Sequence, residues 1–394
     1  MNYDLLFAII LYAIILVFYF FNKDKFKVQG KIILLYPTKI GLNLMDRVSK
    51  ISPKILKILG YVAITLGFIG MGFILYTLVQ GAYQTVFVPK APPTLAPVLP
   101  GIKIPGLPTL SFWHWIIAIL ITATVHEFSH GVFARLFKIK IKSSGFALFG
   151  PILAAFVEPE EENLKKIRYR KQLAIFSAGP FANIILGIIF ILILNFITGP
   201  PQLGMIETQG ITVNEVREGY PAQLAGLQTP FTITEINGQE TLDVRNFTKA
   251  TLFTPGEEVN IKTDKGTYEL TAVTDPENAT RGVIGISGPF EQQIGIREEV
   301  KASYGEFLPK ALVWINVLIL WLFVINIGIG LFNLLPLGPV DGGRMFYVAA
   351  LGIFKNENKA RRIWGWVSFT CLMLIFINLW PWISQLITFI TGLF

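Results

Sequence analysis

The sequence has little cysteine, little histidine and few charges. Its 394 residues include one cysteine, three histidines and only 15% charged side chains, whereas 53% are hydrophobic. One cysteine excludes a disulfide framework and a zinc site built from cysteines, and Cys371, which lies in an apolar run, is predicted to be a packing residue. The scarcity of charge beside so much apolar sequence indicates a polytopic membrane protein with room for one soluble domain.

The net charge of +8 does not indicate a nucleic-acid partner. The basic residues cluster in short segments beside apolar runs, and most acidic residues fall between positions 200 and 300. This is the positive-inside pattern of multi-pass membrane proteins, and it predicts that segments 22–57, 138–142, 165–171 and 355–362 lie in the cytoplasm. We therefore expect a multi-pass protein surrounded by lipid, without nucleic acid.

Six apolar runs are predicted to cross the membrane, each close to or above the ~20 residues that a spanning helix needs. The first lacks a basic region before it, since Asp4 stands there, so it is predicted to be an uncleaved helix with its N-terminus outside. The last is expected to be interrupted near Pro381. The six expected spans cover Leu5 to Phe21, Ile58 to Val79, Leu110 to Ala134, Gln172 to Ile197, Leu312 to Leu335, and Ile363 to Phe394.

Three other segments are not expected to span. Part of segment 22–57, including Ile33-Leu34-Leu35, is expected on the membrane surface, because apolar residues alternate there with lysines. Segment 88–108 is rich in proline, which favours an extended outer connecting loop, with a lid over an active site as the alternative. The apolar segment 144–157 is too short to span and is broken at Gly150-Pro151, so a hairpin dipping into the membrane from the cytoplasm is predicted.

Two of the three histidines form the pattern His126-Glu127-Phe128-Ser129-His130 within the third predicted span. Residues four apart lie on one face of a helix, so both imidazoles can bind one Zn²⁺, with Glu127 close enough to act on water at the metal. The alternative is a pair of hydrogen-bonding groups between helices. Ionisable groups inside a membrane span mark function by default, which favours the metal site. His114, between two tryptophans, is interpreted as part of an interfacial aromatic belt.

A third zinc ligand is expected because catalytic zinc sites usually have three protein ligands. The fifth predicted span ends in Asn333-Leu334-Leu335-Pro336, followed by Asp341-Gly342-Gly343. Proline and glycine stop the helix there, and the irregular backbone presents one carboxylate, that of Asp341. The alternative is an ordinary turn in which Asp341 caps the next helix.

Residues 200–300 form a separate region of short β-like runs and turns, with strands predicted at 211–216, 231–236, 259–263 and 268–273. The segment Gly219-Tyr220-Pro221-Ala222-Gln223-Leu224-Ala225-Gly226-Leu227, followed by Glu235-Ile236-Asn237-Gly238 and by Pro255-Gly256, resembles a PDZ domain of the bacterial protease type. The resemblance implies that a peptide adds as a strand at the edge near residues 210–213. The number of spans predicts that this region lies outside the cytoplasm.

Together, the histidine pattern, the segment Ser177-Ala178-Gly179-Pro180 with Asn183, the PDZ-like insert, and the segment from Asn333 to Gly343 resemble the site-2 protease family of intramembrane metalloproteases. The resemblance implies zinc bound by His126, His130 and Asp341, with Glu127 as the catalytic carboxylate. It further implies that Asn183 and Asn333 hold the substrate backbone, and that segment 144–157 is a membrane-dipping β-hairpin beside the active site.

The expected protein is thus a polytopic α-helical membrane protein with about six transmembrane helices, a re-entrant β-hairpin and one small, mostly β, extracytoplasmic domain. Its expected function is zinc-dependent cleavage of transmembrane segments, with the active site toward the cytoplasmic half of the bilayer. The resemblance also implies that the membrane is the plasma membrane. The alternative is a non-catalytic scaffold that binds peptides. The expected division of the chain is an N-terminal part at 1–110, a catalytic core at 111–199 and 301–352, a PDZ-like domain at 200–300, and a C-terminal helix at 353–394.

Overall fold

The computed structural model describes residues 3–29, 33–88, 93–102, 104, 106–150, 152–288 and 290–391. The chain forms two compact units. The first, here called the membrane unit, comprises Met1–Leu194 and Val317–Phe394. The second, here called the β unit, comprises Asn195–Asn316.

Thirteen α-helices occur in the described residues. In chain order they are α1 Tyr3–Phe21, α2 Leu42–Ile51, α3 Pro53–Phe87, α4 Phe112–Leu136, α5 Glu161–Lys166, α6 Tyr169–Ile193, α7 Gly199–Met205, α8 Pro221–Leu224, α9 Val244–Ala250, α10 Glu298–Tyr304, α11 Phe307–Asn333, α12 Asp341–Phe354 and α13 Glu357–Thr391. A π-helical turn, Leu194–Thr198, joins α6 to α7.

Six of the described helical segments are long and apolar enough to cross a membrane, which confirms the predicted number. The predicted interruption near Pro381 is wrong, because α13 continues through this proline. Proline removes one intrahelical hydrogen bond, and membrane helices tolerate it where neighbouring groups satisfy the freed backbone. The second span, α3, is longer than the predicted run from Ile58 to Val79.

Glycines of α3 allow it to pack closely on its neighbours. A Cβ at Gly60 would lie 2.9 Å from a ring carbon of Phe133, and one at Gly67 would lie 2.7 Å from the Met345 methyl group. The largest buried cluster of the membrane unit contains these two side chains with Ile175 and Leu334, so α3, α4, α6 and α12 share one core. Helix α3 therefore packs against the helices that carry the predicted site.

The predicted hairpin is part of a larger antiparallel sheet in the membrane unit. Its strands are β1 Lys27–Gln29, β2 Ile33–Thr38, β3 Ile141–Phe149 and β4 Ile152–Pro159, in the order β1-β2-β3-β4. The hairpin β3–β4 agrees with the prediction for 144–157, although Pro151 at its turn lies outside the described residues. Ile33-Leu34-Leu35, predicted to lie on the membrane surface, form β2 and pair with β3.

Sequence periodicity alone did not indicate the pairing of β2 with β3. Leu35 pairs with Ala147 and Tyr36 with Phe146, although more than a hundred residues separate the two strands in the chain. A Cβ at Gly145 would lie 2.1 Å from the Tyr36 carbonyl oxygen, so the two strands approach this closely only because residue 145 is glycine. Such a contact between distant segments has no local signature.

Segment 88–108 is described at 88, 93–102, 104 and 106–108, and its residues 89–92, 103 and 105 lie outside the described set. Two indole groups hold its described part. The Nε1–H of Trp115 donates to the Val98 carbonyl at 3.0 Å, and that of Trp382 donates to the Leu95 carbonyl at 2.9 Å. The segment thus packs on the start of α4 and the last third of α13, as expected of a connecting loop.

The β unit contains the predicted strands and several more. Its strands are β5 Ile206–Val213, β6 Glu215–Val216, β7 Phe231–Ile236, β8 Gln239–Glu240, β9 Glu258–Thr263, β10 Gly266–Thr271, β11 Val273–Asp275, β12 Asn278–Val283, β13 Ile286–Ser287 and β14 Glu291–Ile296. The main sheet has the order β10-β9-β7-β5-β14, with β8 on β7. Ile211, Phe231, Ile233 and Ile261 form a dry core with 0–1% exposure.

The predicted peptide-binding edge at residues 210–213 is wrong. This segment belongs to β5, which pairs with β7 on one side and with β14 on the other. Both ladders of β5 are therefore occupied by the chain itself, and no strand can be added there. The sequence suggested a strand correctly, but strand order within a sheet depends on the later segment β14.

Candidate active site

Helix α4 brings the two histidines to one side, facing α6. Their positions, four residues apart, place the His126 and His130 rings 4.7 Å apart between centroids. His126 is buried, with 7% exposure. The helix is anchored at its other end by Ser111, whose Oγ accepts from the His114 backbone N–H and lies 2.6 Å from the His114 ring. His114 is thus a buried residue of the helix start, far from the pair.

Asp341, from the far end of the chain, completes the group. Its Oδ2 lies 2.9 Å from Nε2 of His126 and 3.1 Å from Nε2 of His130, and the two Nε2 atoms are 3.1 Å apart. These three residues are a group of possible metal ligands among the described residues. Asp341 begins α12, with Val340 at the N-cap, so it does not cap the helix as the alternative interpretation proposed.

Two glycines after Asp341 let the chain fold back over the start of α12. A Cβ at Gly342 would lie 2.2 Å from the Leu334 carbonyl oxygen, and one at Gly343 would lie 2.0 Å from that of Leu337. Any side chain there would push the preceding loop away. The Asp-Gly-Gly sequence therefore fixes where the carboxylate of Asp341 lies relative to the two histidines.

The donor set fits a zinc ion. Zinc bonds His nitrogen and carboxylate oxygen at about 2.0–2.1 Å in tetrahedral geometry, which separates the ligand atoms by about 3.4 Å. The three separations observed are 2.9–3.1 Å, so the ligands need to move apart by only a few tenths of an ångström. Two neutral imidazoles and one carboxylate also match the charge and softness that zinc prefers. This arrangement confirms zinc as a suitable metal for the site.

Each histidine ring is held at its second nitrogen by α6. His130 Nδ1 lies 2.7 Å from the Ile175 carbonyl, which can only accept, so Nδ1 carries the proton and Nε2 presents a lone pair to the site. His126 Nδ1 lies 3.0 Å from the side-chain amide of Asn183. Helix α6 therefore sets the orientation of both rings.

Gly179 makes room for the imidazoles, a role that the sequence did not reveal. A Cβ at this position would lie 2.4 Å from Nε2 of His130 and 2.6 Å from Nε2 of His126. It would occupy the space beside the ligand atoms. The only local signal was the run of small residues around Pro180, which also occurs at ordinary packing sites in membrane helices.

Glu127 points to the membrane sheet rather than to α6. Its Oε2 accepts a hydrogen bond of 3.1 Å from the backbone N–H of Val157 in β4. Strand β4 is at the edge of the sheet as far as the chain is described, and it packs along α4. Glu127 therefore connects the histidine helix to the strand edge beside it.

The two asparagines named by the sequence occupy different positions. Asn183 is fully buried, and its amide contacts His126. Asn333 ends α11, and its Nδ2 donates to the Ile329 carbonyl of the same helix at 3.0 Å. Helix α11 does pass close to Asn183, since a Cβ at Gly330 would lie 3.4 Å from the Asn183 Cβ. The structure thus brings Asn183, but not the side chain of Asn333, into contact with His126, a possible metal ligand.

Comparison with known proteins gives consistent results. The model of peptidase family M50 matches residues 114–377. The chain is 31% identical over 350 residues, 87% of its length, to an uncharacterized protein, MJ0971, of Methanocaldococcus jannaschii, 85% of which is covered. It is 27% identical to the zinc metalloprotease RasP of Shouchella clausii, over 55% of this chain and 60% of that protein. It is 22% identical to the putative zinc metalloprotease CPE1693 of Clostridium perfringens, over 64% and 86%.

Proposed function

Since the chain belongs to peptidase family M50, the site-2 protease family of zinc metalloendopeptidases, we propose that it cleaves membrane proteins within their transmembrane segments. It is a multi-pass membrane protein with six candidate spans. The observation that carries the proposal is that Asp341 meets His126 and His130 in one possible metal site. The two histidines and Glu127 lie on α4, a helix that can itself span the membrane. A peptidase site inside a span acts on a peptide bond at the same depth.

In the proposed site, His126, His130 and Asp341 hold zinc. When bound there, zinc would supply Lewis-acid polarisation of a carbonyl and would lower the pKa of water. Glu127, one residue after the first ligand, takes the proton from the attacking water and returns it to the leaving amine. The N–H of Val157 holds the Glu127 carboxylate in place until substrate arrives.

Strand β4 is proposed to bind the cleaved segment. A transmembrane helix must unwind locally before its peptide bond is accessible, and unwound backbone in a membrane needs new hydrogen-bond partners. Val157 directs its N–H away from β3 and toward Glu127. Because backbone groups alternate along a strand, Ala155 directs its N–H to the same side. An unwound substrate strand paired there lies between the sheet and Glu127.

Asn183 is proposed to position His126, and through it the metal. As placed, Asn183 Nδ2 donates to His126 Nδ1 at 3.0 Å, and Asn183 Oδ1 has no partner in the described residues. A half-turn of the amide presents Oδ1 instead, so that Nδ1 carries the proton and Nε2 is free to bind metal. Asn333, at the end of α11, remains the proposed contact for the substrate backbone.

The β unit is proposed to bind an extended peptide at β13 rather than at β5. Strand β13 pairs only with β6 among the described strands, and a cavity of about 300 Å³ lies beside it. Arg217 and Arg281 line this cavity opposite a single carboxylate, Asp275. This excess of positive charge suits an acidic peptide or a free carboxyl terminus.

A peptide-binding assay tests this location. Arg281→Gln should weaken binding of an acidic peptide severalfold, whereas Arg245→Gln, an exposed arginine of α9 away from the cavity, should leave it unchanged. Equal effects of the two variants would mean that the peptide binds outside this cavity. We further propose that this unit lies outside the cytoplasm and that the site faces the cytoplasmic half of the plasma membrane, as the distribution of basic residues suggests.

Zinc analysis paired with cleavage tests the proposed activity. Purified wild type and Glu127→Gln are each assayed for bound zinc and incubated with single-span reporter proteins. We expect about one zinc in both, and cleavage within the span by wild type only, because a glutamine side chain retains the shape of Glu127 but cannot accept a proton. If Glu127→Gln cleaved as fast as wild type, Glu127 would not be the base. Absence of zinc from wild type would favour the scaffold alternative.

A further inference from the structure

A small cationic cavity opens on the membrane unit where three of its helices end together. Its volume is about 220 Å³. It is lined by Lys57 and Tyr61 of α3, Phe137 after α4, and Arg170, Lys171 and Ala174 of α6. None of these residues belongs to the metal site or to the proposed substrate strand.

The three cations of this cavity have no anionic partner among the described residues. Lys57, Arg170 and Lys171 make no ion pair with the described residues, and no carboxylate is among the lining side chains. By contrast, Arg135 in the last turn of α4 pairs with Asp46 at 3.1 Å. Lys171 instead lies 5.7 Å above the Phe137 ring. Three like charges around one cavity repel one another unless an anion joins them.

The cavity lies at the ends of three helices, α3, α4 and α6, that are long and apolar enough to span a membrane. Lys57 is in the first turns of α3, Phe137 directly follows α4, and Arg170 and Lys171 are in the first turn of α6. Apolar surface adjoins it, since Ile58 is 62% exposed and Tyr61 is 57% exposed. A ligand there meets both a cationic cavity and exposed apolar side chains, which is the environment of a phospholipid headgroup.

We propose that this cavity binds the phosphate of an anionic phospholipid, whose acyl chains lie along the exposed apolar face of α3. The bound lipid would tie together the ends of α3, α4 and α6. The lining residue Ala174 precedes Ile175, whose carbonyl holds His130, and a Cβ at Gly60 of α3 would lie 3.3 Å from the Ala174 Cβ. The lipid therefore stabilises the helix arrangement that orients the zinc ligands.

Lipid binding to the full chain in detergent tests this proposal without reference to cleavage. The protein is stripped of lipid and titrated with a short-chain phosphatidylglycerol, with phosphatidylcholine of the same chain length, and with inorganic phosphate. Native mass spectrometry counts bound lipid. We expect one saturable equivalent of the anionic lipid, and no comparable binding of the other two.

Two triple variants locate the site. Lys57→Gln/Arg170→Gln/Lys171→Gln removes the lining cations and should weaken binding about fivefold for each cation removed. Lys140→Gln/Lys166→Gln/Arg362→Gln removes three exposed cations of the same predicted membrane side that lie outside this cavity, and should retain the saturable site. Anionic lipid should also raise the Tm of wild type and of the control variant, but not that of the cavity variant.

Three results would overturn the proposal. Equal loss of lipid binding in both triple variants would mean diffuse attraction to the basic surface. Equal binding of phosphatidylcholine would mean that binding does not depend on the net negative charge of the lipid. Saturation by inorganic phosphate at the same concentration would mean a site for free anions. If the cavity variant does not fold, Lys171→Gln alone, compared with Lys166→Gln, provides the same contrast.

Discussion

The side chain of Asn183 contacts the ring of His126 at Nδ1, 3.0 Å away, in a position with no exposure to solvent. The two residues come from different helices and are 57 positions apart. His126 is a metal ligand in the proposed site, and its opposite nitrogen lies 2.9 Å from Asp341. Proton placement on this ring is thus set by an amide on one side and by the metal site on the other.

Replacement of Asn183 should weaken zinc binding more than it affects folding. Asn183→Ala removes the partner of His126 Nδ1, and loss of such outer partners typically costs roughly 10–100-fold in metal affinity. Zinc competition with a chromophoric chelator measures this change. Ser177→Ala is the matched control, because Ser177 is equally buried on α6 but bonds only its own helix. Unchanged zinc affinity in Asn183→Ala would show that Asn183 does not position His126 for metal binding.

An added methyl group at Gly179 should prevent zinc binding. In Gly179→Ala the new Cβ would lie 2.4 Å from the His130 Nε2 atom, inside van der Waals contact, so the imidazole must leave the site. We expect no stoichiometric zinc in the purified variant. The same change at Gly72, whose Cβ would meet nothing within 4 Å, should leave zinc content at wild-type level. Normal zinc content in Gly179→Ala would mean that the zinc-binding imidazoles do not lie against residue 179.

A proline in β4 should block cleavage and spare the metal. Ala155→Pro removes a backbone N–H on the free edge of β4, where substrate is proposed to pair, and leaves the pairing of Ala154 and Phe156 with β3 in place. We expect cleavage of single-span reporters to fall at least about tenfold, with zinc content unchanged. Ala155→Ser, which keeps the N–H, is the control. Cleavage by Ala155→Pro at the wild-type rate would exclude strand pairing at this edge.

Removal of zinc should lower both activity and thermal stability. A ligand that binds only the folded state stabilises it by RT ln(1 + [L]/Kd), so a chelator should lower the Tm and added zinc should restore it. Glu127→Gln should show the same shift, because it retains all three ligands. His130→Ala should show none. A chelator-dependent shift of equal size in His130→Ala would place the metal at another site.

The histidine pattern, the six spans and the Asp-Gly-Gly segment were accessible from sequence because each has a local signature. Length and apolar content define a span, and His126 and His130 fall on one face by helix geometry alone. Asp341 was accessible as a chemically suitable third ligand before any fold was known. Zinc chemistry restricts the donor types so strongly that few residues of this chain qualify.

Contacts between distant segments were not accessible in this way. The membership of Ile33-Leu34-Leu35 in the membrane sheet depends on β3, more than a hundred residues later. Occupation of both edges of β5 depends on β14. In each case the strand tendency was visible but its partner was not, because backbone hydrogen bonding favours no particular sequence across a sheet.

By itself, the sequence determined that this is a polytopic membrane protein, its six spans and the candidate residues for a zinc site, because these follow from residue chemistry and from the period of a helix. Only the tertiary structure decided how those residues are held. The placement of Asn183 behind His126, of Gly179 beside both Nε2 atoms, and of Val157 on Glu127 depends on how α4 packs against α6 and β4. Packing of this kind joins residues far apart in the chain, so no local pattern encodes it.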